Sequence, residues 1–212
     1  MNQPRKQLSK KILSGRGQGK SAGKIRIIAG KYKGRKLPVL MAEGLRPTTD
    51  RVKETVFNWL MPYLSQANCL DCFAGSGGLG FEALSRGAAQ VTLVELNRAA
   101  AKQLLANKEL LKADNLTVVN SDALSFLKED SLKAGLTANT YKPFDLVFLD
   151  PPFRKQLVEQ AAQLLNNYGL AEQALIYVEM EAESTQVIPV NWQLLKEKVA
   201  GQVIYRLYQY QP

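Results

Sequence analysis

Histidine is absent from this chain of 212 residues, and cysteine occurs only twice. The first absence removes every triad, proton shuttle or metal site built on imidazole, the side chain whose ordinary pKa suits proton transfer near neutrality. The second leaves one C-x-x-C, Cys69 and Cys72, without the further cysteines or histidines of a four-ligand zinc site. Both thiols fall in or just after an apolar strand-like run, so they read as buried packing residues, and no metal site is expected. Long apolar runs are missing too: none approaches the roughly 20 residues needed to cross a bilayer, and the N-terminal stretch lacks the apolar middle of a secretory signal. A soluble, cytoplasmic, monomeric protein is expected, with no membrane partner.

Acid is absent from the first 36 positions, which hold twelve Lys or Arg. The whole chain carries a formal +9, so the remainder is net −3 and the basic character belongs to the N-terminal sixth. Such asymmetry suggests a polyanion-binding arm on a nearly neutral globule. A transit peptide is the rival reading, but the Gly and Lys content fits an amphipathic Arg-rich helix poorly.

A hydrophobic fraction of 46% is enough to fill one substantial core. Residues 1–24, rich in Lys, Gly, Ser and Gln, read as a flexible basic tail. Residues 25–62 read as a small hairpin around Gly30 and Gly34, then a loop and a helix. That helix has Asp50 or Thr49 as its N-cap, an apolar stripe of Val52, Val56, Phe57 and Leu60, and Pro62 at its end. Lys31, Lys33, Arg35 and Lys36 cluster at the hairpin turn, within reach of backbone phosphates.

Residues 63–212 alternate strand-like and helix-like segments, as a parallel α/β domain does. Strands are expected at 68–73, 90–95, 116–120, 144–149 and 174–181, followed by an antiparallel pair at 193–199 and 202–210 around Gly201. The expected fold is therefore a seven-stranded, mostly parallel, Rossmann-like sheet that closes in an antiparallel hairpin.

Two loops carry the chemistry. Asp71-Cys72-Phe73-Ala74-Gly75-Ser76-Gly77-Gly78-Leu79-Gly80 leaves the first strand, turns through a G-x-G-x-x-G and enters a helix. Glu95, twenty residues after Gly75, ends the next strand, where a carboxylate can accept ribose hydroxyls. The pattern alone also fits a nicotinamide dinucleotide. Asp71 turns the reading toward S-adenosylmethionine, because an acid there suits a cofactor bearing an ammonium and a sulfonium and no pyrophosphate. Asp122, in S-D-A-L after the third strand, can meet an adenine amino group, and as a helix N-cap it has a structural reading of equal weight.

The fourth strand runs into Asp150-Pro151-Pro152-Phe153. Consecutive prolines fix the backbone and remove amide donors, Asp150 supplies an acceptor, and Phe153 offers a flat face for stacking. Together these residues suit a planar base carrying an NH2 group. Alternatives remain open on the residues alone: a nicotinamide-dependent oxidoreductase, an adenine-N6 methyltransferase of DNA or RNA, or a non-catalytic RNA-binding protein on the same fold.

The pairing of Asp71-Cys72-Phe73-Ala74-Gly75-Ser76-Gly77 with Asp150-Pro151-Pro152-Phe153 resembles the class I amino-methyltransferase pattern. Arg46-Pro47-Thr48-Thr49-Asp50-Arg51-Val52-Lys53-Glu54-Thr55-Val56-Phe57-Asn58 narrows the resemblance to the RsmD family, from about Arg26 to the C-terminal hairpin. The resemblance implies methylation of the N2 amine of a guanine in 16S rRNA, with the 30S subunit or an assembly intermediate as partner. It implies that Asp71, Phe73, Ala74, Gly75, Ser76, Gly77, Glu95, Leu96, Asp122 and Ala123 hold S-adenosylmethionine. Asp150, Pro151, Pro152 and Phe153 would hold the base, and Arg46 and Arg51 would line the cofactor mouth or touch RNA.

Overall fold

The computed structural model describes residues 23–40, 50–128, 142–167 and 169–212. Nearly all of the basic tail, and Arg46 and Thr49 with it, lie outside the described residues. Its last two positions do not: Gly23 and Lys24 already belong to strand β1, Gly23–Arg26, which pairs antiparallel with β2, Lys36–Val39. Helix α1, Asp50–Leu60, follows, and a short 3-10 turn at Met61–Tyr63 containing Pro62 ends it. The predicted stripe is the buried face of α1: Val56, Phe57 and Leu60 are fully buried, and Val52 is partly so.

The α/β domain then runs β3 Asn68–Asp71, α2 Gly78–Ser85, β4 Gln90–Glu95, α3 Arg98–Leu111, β5 Leu116–Asn120, α4 Ala123–Phe126, β6 Phe144–Leu149, α5 Leu157–Asn167 and β7 Leu170–Glu181. Strands β8, Trp192–Ala200, and β9, Val203–Tyr210, close the chain. The sheet order is β5-β4-β3-β6-β7-β9-β8. Strands β3 to β7 are parallel, and β9 joins β7 and β8 in antiparallel fashion. The chain moves outward from β3 through β4 to β5, then returns to lay β6 on the other side of β3. That reversal makes the carboxyl ends of β3 and β6 the switch point, where open α/β sheets bind ligands.

Both faces of the sheet are covered, which explains why its central strands read as continuous apolar runs. Alternate residues feed two cores. Cys69, Val91, Leu93, Leu146 and Phe148 pack with α1, α2, α3 and the N-terminal hairpin. Leu70, Cys72, Val94, Val147 and Leu149 pack with α4 and α5. The two cysteines thus sit in opposite cores, both buried and unbridged, and burial pushes both thiols up. Two strand ends differ from expectation. Strand β3 stops at Asp71 because Cys72 and Phe73 already turn into the glycine loop, and β7 starts four residues early, at Leu170.

The hairpin is fastened to the domain by polar groups that are themselves buried. Glu82, on α2, accepts the backbone N–H of Ile28 at 2.8 Å and of Ala29 at 3.0 Å, and its charge is met by Arg86 at 2.7 Å. Ser85 Oγ accepts from Tyr32 N at 2.9 Å and donates to Ala29 O at 2.5 Å. Lys53 Nζ, on α1, donates to Arg26 O at 2.7 Å, and Asn107 Nδ2, on α3, donates to Pro38 O at 3.0 Å. Burying a charge is costly unless it is paired and hydrogen-bonded, so these side chains specify one docking geometry.

Candidate active site

The glycine loop joins β3 to α2, and its shape depends on close approaches. Gly77 has φ 78°, and a Cβ there would lie 2.6 Å from the Phe81 ring and 2.7 Å from Leu104. At Gly80 a Cβ would lie 2.1 Å from the end of the Leu93 side chain, which would have to move for α2 to keep its place on β4. Asp71 lies beneath this turn, 2% exposed, with Oδ2 accepting Gly80 N at 3.1 Å. Burial raises its carboxyl to about 7, against the lowering effect of backbone donors from Gly80 and Phe73, and the charge of Glu95 pushes the same way as burial. Asp71 therefore shapes the loop from below.

Glu95 stands at the end of β4 and ties the loop to the neighbouring strand. Its Oε2 accepts Gly75 N at 2.8 Å and its Oε1 accepts Asn97 N at 2.7 Å, and Asn97 in turn caps α3. Leu96, beside it, is 70% exposed, a large apolar side chain presented to solvent at the rim. Asp122 caps α4, with Oδ1 accepting Ser125 N at 2.8 Å, and the residue is exposed, so the structural role is present. Ala123 packs into the core below. Phe73 is partly buried against the same core.

On the adjoining strand, Asp150-Pro151-Pro152-Phe153 leaves the end of β6. The two strands are in register, Asp71 opposite Phe148, and Cys72 N donates to Phe148 O at 3.1 Å across the loop bases. Asp150 is half-buried, Pro151 buried, and Pro152 and Phe153 exposed. Sequence reasoning did not reach the lock that follows. Glu181 accepts Arg154 N, and Gln186 Oε1 accepts Val158 N at 2.9 Å and Glu159 N at 3.3 Å at the start of α5. Arg154 and Gln156 both hold positive φ, 60° and 52°, so these bonds stabilise a turn that costs energy for residues with side chains. Behind it, Tyr177 and Glu179 on β7 form a buried pair, with Tyr177 Oη donating to Glu179 Oε2 at 2.8 Å. The only sequence signal for that pair was two polar-tipped residues on the same face of an apolar strand.

The basic residues are placed elsewhere. Lys31, Lys33, Arg35 and Lys36 are all exposed, and the turn carrying them docks on the last turn of α2, where Lys31 N donates to Ser85 O at 2.7 Å. The opposite end of α2 holds the glycine loop, about 12 Å away for a helix of this length. The structure therefore separates these four cations from D-P-P-F. Arg51 is exposed in the first turn of α1.

The family described as Conserved hypothetical protein 95 matches residues 25–209. Ribosomal RNA small subunit methyltransferase D of Escherichia coli strain K12 is 56% identical over 190 residues, covering 89% of this chain and 91% of the relative. The chain belongs to the RsmD family. The solved structure of the Escherichia coli protein yhhF superposes with a TM-score of 0.78 at 56% identity, covering 89% of this chain and 99% of that one. At 17% identity and a TM-score of 0.57, a structure complexed with SAH shares the fold, covering 91% of this chain and 57% of that one. The RsmD-family chain has the class I methyltransferase architecture, as its strand order requires.

Proposed function

We propose that this protein transfers a methyl group from S-adenosylmethionine to the N2 amine of a guanine in small-subunit rRNA, acting in the cytoplasm as a monomer on the 30S subunit or an assembly intermediate. One observation carries the reading: a glycine loop built over a buried acid and D-P-P-F stand side by side at the switch point of one sheet. The residues present suit the cofactor. The buried Asp71 would meet its cationic amino acid end, Glu95 its ribose hydroxyls, and Asp122 and the backbone of Ala123 its adenine, with Leu96 against the ring. Phe73, Ala74, Gly75, Ser76 and Gly77 supply the wall, and side chains at the glycines would close it.

S-adenosylmethionine, when bound, supplies an electrophilic methyl group. The chain's own residues do the rest by orientation. Asp150 and the Pro151 carbonyl accept the two amine hydrogens, which points the nitrogen lone pair away from them and toward the cofactor loop. Pro151 and Pro152 hold this receptor still, and Phe153, 39% exposed, stacks on the base. Such alignment can supply about 7 to 11 kcal/mol, so a chain without histidine needs no strong base. A guanine in a paired region must be flipped out to reach the loop. The cations of the hairpin and Arg51 would hold phosphates remote from the target nucleotide, a division between positioning and chemistry that suits a large structured RNA.

The test is transfer of labelled methyl to small subunits, purified rRNA and DNA from cells lacking the protein, followed by nucleoside analysis. N2-methylguanosine in the small-subunit RNA is expected. N6-methyladenine would keep the orientation mechanism and discard the guanine, and absence of label in every substrate would leave a binding protein.

A further inference from the structure

The orientation mechanism leaves unused the buried acid nearest to it. On β6 and β7, Phe148 lies opposite Tyr177 and Leu149 opposite Val178. One further step along each strand brings Asp150 beside Glu179. Register partners in a parallel pair share a face, and Phe148 and Tyr177 do so in the core under α1, so Asp150 and Glu179 leave the sheet on that same side. Both acids lie near enough to Tyr177 for their charges to hold its phenol proton more tightly. Glu179 is 9% exposed and lies close to Pro151, Pro152 and Phe153. The fully buried Tyr177 fixes it by donating to Oε2 at 2.8 Å.

A carboxylate so placed sorts bases by their edges. An ionised carboxylate only accepts hydrogen bonds, and its roughly four lone-pair directions let it serve several donors at once. Guanine presents N1–H immediately beside its N2 amine. Adenine presents a bare N1 lone pair beside its N6 amine. We propose that Glu179 is a specificity-determining residue that accepts the N1–H of the target guanine, with Tyr177 as the residue that positions it. This inference rests on the guanine reading above. It divides the work: Asp150 and Pro151 recognise an amine, and Glu179 recognises the ring that carries it by repelling an unprotonated N1.

The experiment uses small subunits reassembled around rRNA carrying 2-aminopurine at the nucleotide that the wild-type protein methylates. This base keeps the 2-amine but has no N1–H. Its lack of the guanine O6 affects wild type and variant alike, so the informative quantity is the change in the guanine to 2-aminopurine ratio of kcat/KM. Wild type is expected to favour guanine by roughly 10- to 100-fold, the discrimination of one good base-edge hydrogen bond. In Glu179→Gln the carboxamide can turn its NH2 toward a bare N1, and the ratio should collapse toward unity while cofactor affinity stays unchanged. Tyr177→Phe, which keeps the carboxylate and loses its anchor, should lower the ratio part of the way, and it carries the test if Glu179→Gln does not fold. An unchanged ratio in the folded variants, even with lower turnover on both substrates, would overturn the inference. A wild-type product other than N2-methylguanosine would instead overturn the guanine reading itself.

Discussion

Asp71 and Asp150 close adjacent strands of one sheet, yet the protein treats them in opposite ways. Asp71 is 2% exposed, is bonded to the first turn of α2, and has its carboxyl raised to about 7 by burial. Asp150 is half-buried, on a backbone stiffened by two prolines. In the function proposed above, the first acid would belong to the wall of the cofactor pocket and the second would face the base. An enclosed acid beside a more open one suits the proposed two-substrate transfer onto a large RNA, because the small ligand can be enclosed and the large one cannot.

Replacing each acid separates the two halves. Asp150→Ala should lower single-turnover methylation by roughly 100- to 1,000-fold, the usual cost of one transition-state hydrogen-bond partner, and calorimetric cofactor affinity should stay intact. Loss of cofactor binding in that variant would move Asp150 into the wrong pocket. Asp71→Asn should do the reverse, weakening cofactor binding by roughly 10- to 100-fold through removal of a charged hydrogen-bond acceptor. Its stability should also depend differently on pH. The folded protein keeps the Asp71 proton up to about pH 7 while an unfolded chain releases it near 3.8, so burying this acid costs progressively more stability as pH rises between those values. Thermal melts should show Asp71→Asn gaining on wild type across that window, with the gap constant above it. A gap that narrows with rising pH would mean the carboxyl is not buried in the way described.

Gly77→Ala tests how far the enclosed side depends on shape. A methyl group 2.6 Å from the Phe81 ring, on a left-handed backbone, should cost about 1 to 3 kcal/mol. That amounts to several degrees in a melt, with weaker cofactor binding alongside. The smallest effect is expected on the remote basic surface. Alanine at Lys31, Lys33, Arg35 or Lys36 should leave turnover at saturating RNA unchanged and make the salt dependence of RNA binding shallower, by about 0.7 in log–log slope for each phosphate left without its cation. An unchanged slope would return these residues to ordinary surface.

The two strand ends were also unequally legible. D-x-x-x-G-x-G, Glu95 and D-P-P-F could be read because their residue types are unusual for their places: glycines where a loop must approach a strand, an acid or a double proline where apolar strands end. The mostly parallel seven-stranded sheet with its antiparallel closing hairpin followed from the alternation of segments, and the strand order came from the structure. The beginning of β7 was obscured because exposed Glu172 and Gln173, the latter at φ 59°, break the period of two, and the pairing with β6 is irregular there. Glu82, Ser85, Lys53 and Asn107 escaped notice because a polar residue within an amphipathic helix looks solvated until the element it faces is known. The sequence placed Lys31, Lys33, Arg35 and Lys36 together on the hairpin turn but said nothing of where that turn docks. Docking on the far end of α2 is a tertiary fact that no local pattern contains.

That docking sets what can be exchanged between proteins of this architecture. A Cβ on Gly30 would lie 1.8 Å from the Ser85 carbonyl oxygen, and Glu82 is matched to the amides of two particular hairpin residues. The hairpin therefore cannot be grafted onto another scaffold as a free-standing module. A transplant would have to carry α1, α2 and α3 along with the hairpin, because Lys53 and Asn107 fasten it as well, and α2 brings the glycine loop with it.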